Sequence, residues 1–376
     1  MRLGSALFLV AAGLPGFGQA PRPIMSPEAH ADHSVTFRFR APNAEKVFLR
    51  LEGAKSLPMQ KNDDGIWNVT IEPVEPDYYG YSFTVDGVNL SDPSNSAIEH
   101  NLWRPLSEVH VPGPSLLPWE VKDVPHGTVH HHLYRSRVVG DDRDFYVYTP
   151  PGYDRGARKL YPVLYLLHGL SHDASSWTDV GRAHVILDNL IAQGKAKGMI
   201  VVMPLGYGAP EILLDRAPGP GDLVLRQRNY DRFSETVLTE IMPQVEGTYR
   251  VSKDRDERAI AGLSMGGTES LLTGLNNIDR FAWIGAFSSG GMSDDFNAQF
   301  PKLDSSANEK LHLLWISCGI DDSLIEPNRK FREWLKSKGV RHSDIETPGH
   351  HTWMLWRHNL AEFAPLLFQG QGNPAH

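Results

Sequence analysis

Apolar residues recur at every second position over the first third of the chain: Val35, Phe37, Phe39; Val47, Leu49, Leu51; Trp67, Val69, Ile71; Tyr79, Tyr81, Phe83, Val85. A period of two places one side of an extended segment in a core and the other in water, so each set predicts a half-buried strand. Turn-forming clusters separate them, at Ala41-Pro42-Asn43, Asn62-Asp63-Asp64-Gly65, Glu75-Pro76-Asp77 and Asp86-Gly87. Short strands at this spacing, without any helical pattern among them, predict a small all-β immunoglobulin-like sandwich over residues 30–112. Residues 21–33 read as a leader before it. Val111-Pro112-Gly113-Pro114 is stiff and poor in donors, so residues 113–126 read as a linker.

Beyond residue 126 the pattern changes. Continuous apolar blocks at 145–149, 161–167, 199–203, 259–261, 281–287 and 311–318, with a shorter piece at 344–347, predict strands, most of them buried on both faces. Helical spacing appears between them, at 181–193, 233–248 and 328–338. Strands alternating with helices predict an α/β domain over 127–370, with a mostly parallel sheet covered on both sides. Binding chemistry then belongs at the carboxyl ends of its strands. Residues 208–226, rich in Gly and Pro, predict a loop bordering that face.

Composition narrows the class. The 376 residues are 41% hydrophobic and 22% charged with a net charge of −8, and Lys/Arg runs are missing. Such a chain offers nothing to nucleic acid or to an anionic membrane surface. Residues 1–20 carry Arg2, an apolar stretch and Gly18-Gln19-Ala20 before Pro21, the pattern of a signal peptide too short to span a bilayer. Export to the periplasm or the exterior is expected. The single cysteine, Cys318, excludes an internal disulfide and sits in an apolar strand as a buried thiol.

The chemistry centres on Gly262-Leu263-Ser264-Met265-Gly266, a Gly-x-Ser-x-Gly turn between a predicted strand and a helix. Serine at the apex of so sharp a turn crowds the residues two before and two after it, and glycine at both leaves room. The helix beneath offers unpaired N–H groups to a developing oxyanion. An acyl-transfer site also needs a base, an orienting acid and oxyanion donors. After Ser264 the first acids that directly follow a buried strand are Asp321 and Asp322, behind 311–318; histidines follow the last strand at His350 and His351. Each has a twin that spacing does not separate. The expected oxyanion donors are the backbone amides of Met265 and of Leu170, the latter after the strand ending in His168-Gly169. His168 itself packs against that loop.

Lesser signals carry two readings each. Trp177, Tyr207 and Trp353 are candidates to line a substrate pocket, with core packing the alternative; Trp356 reads as core. Neighbouring histidines His130-His131-His132 point to alternate faces of an extended chain and lack Cys or Glu partners, so neither metal nor organic cofactor is expected. Tyr78 and Trp103 could form a sugar platform, whereas Trp67 and Tyr79 point inward.

Four segments together resemble carbohydrate esterase family 1, whose members include feruloyl and acetylxylan esterases: 161–169 (Tyr-Pro-Val-Leu-Tyr-Leu-Leu-His-Gly), 203–208 (Met-Pro-Leu-Gly-Tyr-Gly), 262–267 and 349–357 (Gly-His-His-Thr-Trp-Met-Leu-Trp-Arg). The resemblance runs from about residue 127 to 368 and implies an α/β-hydrolase fold. It maps the family's base to His351, with His350 where glycine is usual, and its acid to Asp322 through a Gly-x-x-Asp pattern from Gly319. Residues 30–112 are similar to early-set sandwiches such as family 48 carbohydrate-binding modules. The resemblance implies Ser264, Asp322 and His351 as a catalytic triad and an acylated plant polysaccharide as substrate, feruloyl before acetyl. Other esters of the superfamily, an iron chelator's or a lipid's, form the competing reading. A glycan-binding protein that merely kept the fold is the other, and the complete Ser, Asp, His order argues against it.

Overall fold

The computed structural model describes residues 23–156, 158–214 and 222–369; the expected export signal lies outside them. The period-two segments form two facing antiparallel sheets. One holds Val35–Arg40 paired with Ile66–Ile71, in the register Val35↔Ile71, Phe37↔Val69 and Phe39↔Trp67. The other holds Val47–Leu51, Asp77–Val85 and Leu106–Val111. Phe37, Leu49, Tyr81 and Phe83 fill the space between, fully buried, with the Phe37 and Tyr81 rings edge to face at 4.8 Å. Trp67 and Tyr79 are core residues as expected, at 7% exposure each. Residues 21–33 are not merely a leader: Glu28–Ala29 adds a short strand beside Val35–Thr36 and so belongs to the sandwich.

The second unit is an eight-stranded sheet. Its strands are β1 (Thr128–Arg135), β2 (Asp142–Thr149), β3 (Val163–Leu167), β4 (Ile200–Pro204), β5 (Arg258–Leu263), β6 (Trp283–Phe287), β7 (Leu313–Gly319) and β8 (Ser343–Thr347), in the order β1-β2-β4-β3-β5-β6-β7-β8. β2 is antiparallel to both neighbours and the rest run parallel. β3 to β6 are buried along their whole length, as their unbroken apolar runs require. The helices α1 (Ala183–Ala192), α2 (Leu223–Thr236), α3 (Met265–Asn276), α4 (Ile325–Ser337) and α5 (Trp353–Phe363) cover the two faces over two apolar clusters. α2 starts ten residues before the expected 233, because Asp222 caps it by accepting from the Val224 and Leu225 amides. Part of the expected loop at 208–226 therefore is helix, and 215–221 lie outside the described residues. β1 escaped the periodicity because it is a half-exposed edge strand of histidines.

Residues 113–126 do not behave as a free linker. Trp119 within them is fully buried and donates from Nε1 to Asp77 Oδ1 at 2.9 Å, while Asn189 of α1 donates to the carbonyls of Pro118 and Glu120. Arg357 of α5 reaches the same Asp77 and the carbonyls of Tyr78 and Val180. Arg182 meets Glu108 at 2.9 Å with its guanidinium 3.6 Å from the Tyr78 ring centre. The sandwich and the α/β unit therefore share a polar, buried seam. Among the described residues no helix is long and apolar enough to cross a membrane.

Candidate active site

β5 runs straight into α3 through Ser264, whose backbone sits at φ 53°, ψ −116°. For a residue with a side chain that conformation costs on the order of 1–3 kcal/mol, and the surrounding bonds hold it. Ser264 N donates to Phe287 O at 2.8 Å, and Ser264 O accepts from Gly290 and Thr268 amides at 3.2 Å each. A Cβ at position 262 would meet Gly266 O at 2.5 Å, and one at 266 would meet His168 O at 2.5 Å. The two glycines are thus required by close backbone approach.

The acid and the histidine arrive from neighbouring strands. Asp322 follows β7 and His351 follows β8; β6, which neighbours β5, lies beside β7. His351 Nδ1 lies 2.8 Å from Asp322 Oδ2, and Nε2 lies 3.0 Å from Ser264 Oγ. A carboxylate can only accept, so Nδ1 carries the ring proton and Nε2 is free to accept from the serine hydroxyl. Burial pushes the Asp322 carboxyl up, but the hydrogen bond and charge of His351, with the Leu324 amide at 2.8 Å, outweigh it and hold the group below the usual carboxylate range.

The twins separate cleanly. His350 is exposed, with Nδ1 3.1 Å from the Asp321 carbonyl, and Asp321 Oδ2 accepts from Gly349 N. Neither turns towards Ser264. His168 is buried with Nε2 accepting from Gly206 N at 2.8 Å and Nδ1 donating to Gly169 O; burial pushes it down to about 4, so it stays neutral and fixes two loops. The loop it fixes brings Gly169 so near the turn that a Cβ there would stand 3.2 Å from Ser264 Cβ. Leu170 follows beside Ser264, and Met265 opens α3.

Two cavities meet at Ser264 and Leu170. The larger, about 590 Å³, runs over Met265, Met292, Phe296, Leu324 and Phe331 and is mainly apolar. The smaller, about 200 Å³, holds His351, His172 and Trp353 and, from the sandwich, Glu52, Glu99 and Asn101. Trp353 thus borders the site, although its own ring is buried and donates to His172 Nε2. Trp177 and Tyr207 line neither cavity. Both are core residues, Trp177 donating to Leu167 O and Tyr207 to His172 O, because the segments carrying them turn back under the strand ends. The sandwich residues escaped sequence reasoning, since a lone Glu after a strand carries no periodic signal. His131 pairs with Asp144, His132 with Tyr249, and no group of three metal-binding side chains occurs among the described residues. Cys318 is buried, its thiol pushed up to about 12 by desolvation.

The Esterase family model matches residues 136–367, which takes in the turn at Ser264, the acid and the histidine. The chain belongs to this esterase family. A carbohydrate-binding module 48 model (isoamylase N-terminal domain) matches residues 25–99, most of the sandwich. An endo-1,4-beta-xylanase/feruloyl esterase of Xylanibacter ruminicola is 30% identical over 355 residues, 91% of this chain and 46% of that protein. The chain spans about half the length of the curated relatives it matches first. Among solved structures, a CE1 ferulic acid esterase from Anaeromyces mucronatus is 27% identical, with a TM-score of 0.56 over 66% of this chain and 93% of its own. Enterobactin esterase from Shigella flexneri shares the fold over 88% of this chain and 92% of its own, at TM-score 0.66 and 18% identity.

Proposed function

We propose that this esterase is an exported serine hydrolase that releases acyl groups, feruloyl first and acetyl second, from plant cell-wall polysaccharide through an acyl-enzyme. Ser264 Oγ attacks the ester carbonyl while His351 Nε2 takes its proton. Asp322 holds the imidazole tautomer and stabilises the imidazolium. The amides of Met265 and Leu170 donate hydrogen bonds to the carbonyl oxygen as negative charge develops on it; losing one such donor raises the barrier by about 3–4 kcal/mol. His351 then gives its proton to the leaving alcohol, and a water activated by the same nitrogen releases the acid. No metal or organic cofactor enters any step.

The observation that carries the reading is the unbroken chain Asp322–His351–Ser264 at 2.8 and 3.0 Å. The apolar cavity at Ser264 suits an aromatic acyl group, and its volume exceeds that of an acetyl group many times over. Residue similarity to feruloyl esterases supports the choice of acyl group. The test is a panel of methyl ferulate, acetylated xylan and a short-chain aryl ester. Turnover of methyl ferulate that disappears in Ser264→Ala, together with labelling by a serine-directed phosphonate, is expected. A wild-type enzyme inert to all three, or labelling that persists in the variant, overturns it.

A further inference from the structure

The sandwich supplies part of the wall around Ser264, and the chemistry of that wall is unlike the rest of the site. Glu99 is 5% exposed, borders the smaller cavity and accepts no hydrogen bond among the described residues; His172 Nε2 lies 3.8 Å from it. Glu52 stands beside it, accepting from Trp353 N at 2.9 Å and Gly80 N at 3.2 Å. Asn101 donates to Ser171 Oγ across the same opening. A carboxyl group buried without a donor is costly unless something arrives to pair with it.

Direction follows from the histidine. The leaving oxygen must come within hydrogen-bond reach of the nitrogen that protonates it. His351 borders the smaller cavity and not the larger one. The acyl group therefore occupies the apolar side, and the alcohol departs towards Glu99. We propose that Glu99, with Glu52 beside it, accepts the hydroxyl groups of a neutral sugar that forms the alcohol half of the ester. The inference rests on the esterase reading above and assigns the residues that would hold the sugar half of its substrate.

Charge supports a neutral polyol over other alcohols. Two carboxyl groups repel an anion. Desolvation pushes each carboxyl up to about 7, with the partner's charge adding to this for Glu52; Glu108 raises and Arg357 lowers the Glu99 value. Such a pair keeps a proton near neutral pH and offers both a donor and acceptors, which matches the donor and acceptor of a hydroxyl. A second groove, about 590 Å³, continues from Glu52, Asn101 and Ser171 past Trp103 along the sandwich, so a longer saccharide has room to follow the first ring.

Methyl ferulate and a feruloylated arabino-oligosaccharide give the same acyl-enzyme and differ only in the alcohol, so deacylation is an internal control. In Glu99→Ala the ratio of kcat/KM for the sugar ester to that for the methyl ester is expected to fall at least about tenfold, the loss of one hydrogen bond to a charged group. Glu99→Gln, which keeps the volume and one acceptor, should fall less, and melts of both variants check folding. A parallel fall on both esters would mean that Glu99 only supports the fold, and an unchanged ratio would mean that the sugar does not reach it; either overturns the inference. A wild-type enzyme that turns over neither ester instead removes the esterase reading itself.

Discussion

Asp77 of the sandwich and Arg357 of α5 meet at 2.9 Å with their side chains 7% and 1% exposed. They join residues 280 positions apart in sequence, and Trp119 Nε1 shares the same carboxylate oxygen. Removing the acid would strand a buried guanidinium. Asp77→Ala is expected to lower stability by about 3–5 kcal/mol in chemical denaturation, with the unfolding of both units shifting together. A change under about 0.5 kcal/mol would show that the guanidinium finds other company at the seam.

The paired residues at the histidine and acid loops give a sharper contrast. His351→Ala should reduce kcat/KM by about a thousandfold or more, and Asp322→Asn by a comparable factor through the wrong tautomer. His350→Ala and Asp321→Asn remove groups that face each other's loop and should stay within about threefold, since surface changes away from the reacting atoms alter little. Steady-state kinetics on any hydrolysed ester decides between them. A dead His350 variant would move the base by one residue.

Gly169→Ala probes the loop that presents Leu170. The added Cβ would lie 2.7 Å from Leu263 Cδ1 and 3.2 Å from Ser264 Cβ. The leucine end can turn away, whereas the serine cannot without moving its hydroxyl. We expect kcat to fall about tenfold with little change in melting temperature, because displacements well under 1 Å at the reacting centre are felt strongly. A normal kcat would place the oxyanion amide elsewhere.

The buried carboxyl pair sets a slope in stability against pH. Glu52 and Glu99 are held at about 7, above their unfolded value near 4.5, so between those limits the folded chain binds more protons than the unfolded one. Stability from this source is complete below about 4.5 and is lost as pH rises through 7. His168 and His172 act oppositely, since burial takes both down to about 4 and their contribution is lost as pH falls from 6.5. The histidine contribution, which levels off about one pH unit above 6.5, is common to wild type and Glu99→Gln, so the difference between the two reports the carboxyl. Melting temperatures of wild type should therefore drop from pH 6.5 to 8 more steeply than those of Glu99→Gln. Parallel curves would mean that Glu99 is ionised throughout.

Much of this was legible in the chain because the physics was local. Phe37, Leu49 and Phe83 alternate with polar residues, and the sandwich follows; the run from Val163 to Leu167 admits no wet face, and a central strand follows. Ser264 is announced by the glycines its turn requires. Choosing His351 over His350 needed family resemblance, because two adjacent side chains on one loop differ only in direction. The placement of Trp177 and Tyr207 failed for the same reason: sequence tells which strand a residue follows, and the path of the loop decides whether it looks out or in. The seam was hidden altogether. Trp119 and Asp77 belong to segments that look like spacer and turn, and only their meeting with α5 gives them a purpose.

The Glu52 carboxylate grips the Trp353 amide, two residues from His351, and a sandwich backbone amide with its other oxygen. A change in how the first unit sits would therefore be handed to the histidine. In protein engineering terms, the two modules are not interchangeable parts: grafting a foreign sandwich in front of this α/β unit, or moving this one to another enzyme, would have to carry Glu52, Asp77 and the Trp119 strap along with their partners on the helix that follows His351.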